Sequence, residues 1–283
     1  MSEYGVLRYS RVHPNCRGLS PPRRSPGHLN RTFFPDYRSP VTPVLQLSDV
    51  RFSWPNSLEA PAVLDGLSLS IQPGEQLLLR GGSGSGKSTM LSVIAGLLTP
   101  SAGIVEVAGR DLYSLAQGKR DAFRGTHIGM IFQTFQLLAG FSAAENVMAA
   151  LMFSSVSRSE HRSRATKLLH DLGITRPDAE VGALSVGQQQ RVAVARAIAC
   201  NPVLVLADEP TASLDPDNAL AAVQLIRQAC RGSGAALLVT SHDPALRGTF
   251  ERELHISRGK LQDEAPVASA PARAHTFGAK ENA

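Results

Sequence analysis

The chain has 283 residues, 43% of them hydrophobic, which is enough apolar material for one large core or two modest ones. Its net charge of +5 is carried entirely by residues 1–45, where seven Arg face only Glu3 and Asp36. The basic excess therefore belongs to a Pro-rich leader rather than a folded face, which argues against a nucleic-acid-binding domain. Three cysteines at wide spacing (Cys16, Cys200, Cys230) fit neither a disulfide framework nor a paired-ligand zinc site, so a reducing compartment is expected. The longest apolar run, Val147 to Phe153, is far short of the roughly 18 residues a membrane-spanning helix needs, so membrane contact is expected to be indirect. The opening stretch MSEYGVLRYSRVHPN lacks the apolar core and small-residue cleavage site of a secretory signal.

Residues 1–43 hold seven of the 18 prolines and show no sustained apolar period, so they read as a disordered basic leader. Leu67, Leu69 and Ile71 then alternate with polar residues before the turn Pro73-Gly74, as in the half-buried strand of an antiparallel flank. Gln76 to Arg80 is a short apolar strand. A glycine-rich turn follows, and Met90, Leu91, Ile94, Leu97 and Leu98 recur at helical spacing until Pro100. A strand-turn pair at Ile104 to Gly109 precedes a region from about 134 to 182 with almost no β signal, which is expected to be a helical subdomain. Within it a helix over Arg164 to Leu172 is closed by Gly173. The remaining alternation has helices near Val186–Cys200 and Asn218–Cys230, with strands at Val203–Ala207 and Ala235–Thr240. It predicts an α/β fold with a mostly parallel core sheet and crossover helices. From 263 to 283 the chain is Ala- and Pro-rich and reads as a flexible tail.

The run Gly81, Gly82, Ser83, Gly84, Ser85, Gly86, Lys87, Ser88 matches the phosphate-binding pattern G-x-x-x-x-G-K-[ST], and Thr89 follows it into the helix. Its position between a strand and a helix is the context that the chemistry requires. Glycines let successive N–H groups curl around an anion, and the helix points its positive end at the same place. Lys87 would then neutralise β- and γ-phosphate charge while the Ser88 hydroxyl ligates Mg²⁺. Asp208 and Glu209 end an apolar strand at the edge where open α/β sheets bind ligands. Beside a phosphate loop, Asp208 is expected to position Mg²⁺ through its waters and Glu209 to act as general base toward the attacking water.

Leu184-Ser185-Val186-Gly187-Gln188 stands at the start of a helix and ends 20 residues before Asp208, and with it the chain resembles the ABC ATPase family of P-loop NTPases from about Val44 to Leu261. Gln133 in IFQTFQ matches that family's glutamine loop, LSVGQ its signature, Ser213-Leu214-Asp215 its D-loop, His242 in TSHD its switch histidine and Trp54 its aromatic A-loop position. Val186 stands where glycine is most common. The resemblance implies an ATP-binding domain over 44–262 and a head-to-tail homodimer. Each nucleotide would be held by one copy's phosphate loop and by Ser185, Gly187 and Gln188 of the other, with Asp215 near the seam. It further implies that Gln133 contacts Mg²⁺, that His242 steadies the γ-phosphate and attacking water, and that Trp54 stacks on adenine.

TFQLLAGFSAAENV, QQQRVAVARA and LADEPTASLD resemble the lipoprotein-releasing and macrolide-exporter group in particular. That implies a peripheral motor at the cytoplasmic face of the inner membrane, hydrolysing ATP for a separate integral membrane permease. Phe135, Leu137, Leu138 and Phe141 would supply apolar surface for a permease helix or else pack the insert. The alternative is a soluble ABC ATPase acting on DNA or ribosomes, but such proteins tend to have coiled-coil insertions or paired cassettes.

Overall fold

The structure is a computed structural model that describes residues 42–55, 61–212 and 216–263. The proposed leader apart from residues 42 and 43, the residues Ser213, Leu214 and Asp215, and the tail beyond 263 lie outside the described residues.

Two sheets organise the described residues. The first is antiparallel and comprises β1 (Leu45–Phe52), β2 (Leu64–Ile71), β4 (Ala102–Val107) and β5 (Arg110–Asp111), in the order β2-β1-β4-β5. The second comprises β3 (Gln76–Arg80), β6 (Ile128–Ile131), β7 (Leu204–Asp208), β8 (Ala236–Ser241), β9 (Arg252–Ser257) and β10 (Lys260–Asp263), in the order β10-β9-β3-β8-β7-β6. In this sheet β9, β3, β8, β7 and β6 run parallel, and only β10 is antiparallel to its neighbour. The α-helices among the described residues are α1 (Lys87–Ile94), α2 (Gln117–His127), α3 (Ala143–Leu151), α4 (His161–Asp171), α5 (Val186–Ile198) and α6 (Pro216–Ser233). Between 134 and 182 the regular elements are helical, apart from one isolated bridge between Ser142 and Glu180.

The parallel strands divide two hydrophobic cores. Leu78 of β3, Val205 and Ala207 of β7, and Leu237 and Val239 of β8 face one core, which is completed by side chains of α3, α4, α5 and α6. Their alternates Leu77, Leu79, Leu204, Leu206, Ala236 and Leu238 face the other, completed by α1 and the antiparallel sheet. A strand buried on both faces has no polar position to show, which is why these segments read as continuous apolar runs. The outer β2 buries Leu67, Leu69 and Ile71 and leaves their neighbours more accessible, the alternation expected of a half-buried strand.

Helix ends obey local chemistry. α1 stops at Ile94, earlier than Pro100 would require, because Gly96 takes φ 72° and the Leu97 N–H turns back to the Ser92 carbonyl. α4 closes as its glycine foretells: Gly173 adopts φ 79° and the Ile174 N–H reaches the Leu169 carbonyl at 2.8 Å. α3 begins with a capping box between Ser142 and Glu145, whose carboxyl is held below the usual carboxylate range by hydrogen bonds from the Ser142 N–H and hydroxyl.

One close approach fixes how β6 meets α5. A Cβ at Gly129 would lie 2.3 Å from the Ala197 carbonyl oxygen, a backbone atom that cannot swing aside. Gly129→Ala should therefore cost about 1–3 kcal/mol in urea denaturation. Gly118→Ala in α2 has open space around the new Cβ and should be neutral or slightly stabilising, so equal losses at both sites would refute this packing account.

Candidate functional site

All four core parallel strands that lead into the singled-out motifs finish at one level of the sheet. Arg80 is paired with Ser241, Asp208 with Thr240 and Ile131 with Ala207. The phosphate-loop run after β3, Gln133 after β6, Glu209 after β7 and His242 after β8 consequently leave the same edge. Open α/β sheets bind ligands beyond the carboxyl ends of such strands.

At that edge the glycine-rich run turns tightly into α1. Gly81 passes so close to β9 that a Cβ would sit 2.6 Å from the Ile256 carbonyl, and Gly86 holds φ 102° with the Val63 carbonyl 2.9 Å from where its Cβ would be. Neither place admits a side chain. α1 then opens without a side-chain cap and without an acidic residue in its first turn, leaving its N–H end suited to an anion. Lys87 is 5% exposed, and its ammonium donates to the Gly81 and Gly82 carbonyls at 2.9 and 3.0 Å.

Charge couples this loop to the end of β7. Lys87 Nζ lies 3.2 Å from Glu209 Oε1, and His242 Nδ1 lies 2.7 Å from Glu209 Oε2. Lys87, Glu209 and His242 come from three different motifs and form a continuous ionic and hydrogen-bonded chain. Glu209 carries this arrangement on a left-handed backbone, φ 42°, a conformation that a residue with a Cβ rarely adopts. Asp208, one residue earlier, accepts a hydrogen bond from the Thr240 hydroxyl at 2.7 Å.

Around this chain lies an open cavity of about 640 Å³, lined by Ser83, Gly84, Ser85, Gly86, Lys87, Ser88 and Thr89, together with Trp54, Val63, Gln133, Glu209 and His242. Trp54 is 49% exposed and stands edge-on to Phe52 with ring centroids 5.0 Å apart. An aromatic face, backbone donors, a lysine, a hydroxyl and an amide on one wall suit a nucleotide carrying phosphates. Gly81, Gly82 and Asp208 do not line the cavity. The Ser85 hydroxyl is buried with no hydrogen-bond partner, an orphaned polar atom inside the loop that would curl around a phosphate.

The signature residues lie elsewhere. Ser185 caps α5, its Oγ accepting from the Gln188 N–H at 3.3 Å while the Ser185 N–H donates to Gln188 Oε1 at 3.0 Å. The Gln188 side chain is thus engaged in a local cap. Ser185, Val186 and Gly187 are exposed, and none of them lines the cavity around Lys87. Asp215 lies outside the described residues.

Further along α5 are two contacts that the motif reading passed over. Gln190, 3% exposed, donates to the Pro210 carbonyl at 3.1 Å, and Arg196 donates from Nη1 and Nη2 to the Gln136 and Phe135 carbonyls, both at 2.6 Å. Phe135 and Gln136 are themselves left-handed, with φ 58° and 47°, so Arg196 braces a strained segment just beyond Gln133. Burial lowers the pKa of Arg196 from its ordinary value. Both lie in the run QQQRVAVARA, whose family likeness names no partner for either residue. The four apolar residues considered for a permease helix divide: Phe135 is buried and Leu137 packs on the core, whereas Leu138 and Phe141 are 44% and 49% exposed.

Comparison with known proteins supplies the family. Residues 64–212 match the family model described as ABC transporter. This chain belongs to the ABC transporter family. It is that family's ATP-binding and ATP-hydrolysing motor component, built on the P-loop NTPase fold. It is 39% identical over 218 residues to the lipoprotein-releasing system ATP-binding protein LolD 1 of Rhodospirillum rubrum, covering 77% of this chain and 96% of that one. The macrolide export ATP-binding/permease protein MacB of Salmonella choleraesuis is 37% identical over 228 residues, 80% of this chain but 35% of its own length. Among solved structures, a dimeric ATP-binding cassette in a post-hydrolysis state bound to ADP and Pi is similar with a TM-score of 0.70 and 33% identity. That match covers 80% of this chain and all of the other. None of these likenesses favours an ATPase that acts on DNA or ribosomes.

Trp54 is the only tryptophan in the chain and lines the cavity, so ADP should change its fluorescence. Lys87→Ala should abolish that response at the same ADP concentration. An unchanged titration curve for the variant would contradict the placement of phosphate beside Lys87.

Proposed function

We propose that this chain is the peripheral motor of an exporter whose permease is a separate polypeptide, extruding a lipid, lipoprotein, peptide or drug. The observation that carries this reading is the separation of the signature from its own nucleotide cavity: Ser185 and Gly187 are presented outward, where a second copy can use them. The solved relative is dimeric, and the likeness to the lipoprotein-releasing ATP-binding protein extends over nearly its whole length. In the macrolide exporter the matched part is about a third of a longer ATP-binding/permease chain, so a motor of this kind works beside a permease.

In this reading the ATP-binding unit spans 44–262, includes the helical subdomain at about 134–182, and is flanked by the leader (1–43) and tail (263–283). Trp54 stacks on adenine, and residues 81–89 wrap the phosphates. Ser88, Gln133 and, through water, Asp208 would hold Mg²⁺, which when bound draws negative charge off the phosphates. A phosphate arriving at Lys87 competes for the ammonium that Glu209 now shares. Glu209 is thereby freed to accept a proton from water, and His242 holds the γ-phosphate and that water in line. Ser185, Gly187 and Gln188 of the second copy close over the γ-phosphate, with Asp215 at the seam. ATP joins the two copies, and loss of phosphate after hydrolysis releases them.

The permease contact in this reading is a groove of about 360 Å³ lined by Phe132, Gln136, Phe153, Arg196 and Cys200 among others. Phe153 and the neighbouring Met152 are 66% and 67% exposed, an apolar surface suited to a partner helix. Among the described residues no helix is long and apolar enough to cross a membrane, so attachment at the cytoplasmic face of the inner membrane would run through that partner.

Glu209→Gln should bind ATP, lose at least about a hundred-fold in turnover and accumulate as a dimer in light scattering. Hydrolysis at the wild-type rate would remove Glu209 from the role of base. Affinity capture from detergent-solubilised membranes should recover an integral membrane protein with the chain. Retention on nucleic acid that is lost at high salt, with no membrane partner, would favour the DNA or ribosome alternative.

A further inference from the structure

The TSHD run was singled out for His242 alone, yet the side chain of its first residue, Thr240, touches both acids at the end of β7. It is fully buried at the penultimate position of β8, directly opposite Asp208 in the parallel ladder. Its hydroxyl has one proton to give. Asp208 Oδ1 is 2.7 Å away and the Ala207 carbonyl 3.4 Å, so the carboxylate receives it. The Thr240 hydroxyl oxygen in turn accepts from the Glu209 N–H at 3.2 Å, and the Thr240 carbonyl shares that N–H at 3.1 Å. Two residues on is His242, whose ring reaches the Glu209 carboxylate at 2.7 Å.

These contacts solve a local problem. Glu209 must leave the strand with φ 42°, and a backbone in that region persists only where its surroundings hold it. A carboxylate at a strand end is free to turn unless one oxygen is tied, and tying Oδ1 directs the other oxygen. Valine would fill the same volume without either bond, leaving Asp208 Oδ1 without its donor.

We propose that Thr240 is a positioning residue for ATP hydrolysis: its hydroxyl aims Asp208 at the magnesium-nucleotide complex and fixes the backbone that presents Glu209. The inference rests on the magnesium-nucleotide reading of the cavity. It assigns the hydroxyl a role in metal-dependent binding that core packing alone does not require. Groups that orient a metal's partners without touching the metal typically contribute about ten- to a hundred-fold in metal affinity or activity.

The test is calorimetric titration of the full chain with ADP, once in EDTA and once in excess Mg²⁺, the ratio of the two affinities being the quantity read. In wild type Mg²⁺ should tighten binding. In Thr240→Val the EDTA affinity should stay within about two-fold, while the gain from Mg²⁺ falls about ten-fold or disappears. Thr240→Ser, which keeps the hydroxyl, should preserve both. If valine prevents folding, Thr240→Cys against Thr240→Ser makes the same comparison through one atom, sulfur being the weaker donor. A wild-type gain in the valine or cysteine variant, an equal loss in the serine variant, or a wild type indifferent to Mg²⁺ overturns the proposal. Failure of wild type to bind ADP in EDTA and in Mg²⁺ alike would refute the nucleotide site itself.

Discussion

A sheet apolar on both faces can place polar chemistry only where its strands end. That constraint governs this protein. Leu77 to Leu79, Leu204 to Ala207 and Ala236 to Val239 are all fully buried, so Lys87, Asp208, Glu209 and His242 are confined to the carboxyl edge. Because the strands are parallel and in register, the confinement is also a convergence. Residues separated by up to 155 positions along the chain meet within hydrogen-bonding distance because neighbouring strands lie about 4.8 Å apart.

At that edge electrostatics decides the local arrangement. Lys87 has little solvent to rely on and is satisfied by two loop carbonyls and one carboxylate. A buried ammonium with such partners is stable, but each partner is also a competitor for any phosphate that approaches. Glu209 is placed between a lysine and a histidine, so events at the phosphate loop reach it directly. A strained backbone at Glu209, whose N–H is bonded to a fully buried threonine, indicates how much of the fold is devoted to holding one carboxylate in place.

α5 connects this edge to the rest of the molecule. Its first turn presents Ser185 and Gly187 to the outside, Gln190 holds the carbonyl after Glu209, and Arg196 braces the segment after Gln133. One helix thus makes contacts at three points along its length. The groove beside Arg196 and the cavity beside Gln133 are thereby joined through a few hydrogen bonds.

Much of the architecture was legible from residue order alone, because strands buried on both faces write themselves as apolar runs and a phosphate loop needs glycines at fixed places. The residues singled out as Trp54, Gln133, Glu209 and His242 do line one cavity with the phosphate loop. Other features had no local signal. β6 is four residues long, and α2 buries none of its side chains, so neither has an apolar pattern strong enough to read. Thr240, Gln190 and Arg196 look like ordinary polar residues until their partners 20 to 61 positions away are in place. Glycine spacing, apolar periodicity and strand-end acids are properties of neighbouring residues, and the sequence by itself determined those. The Lys87–Glu209–His242 chain, the bracing of strained loops by α5 and the outward signature depend on distances between segments, which only tertiary packing decides.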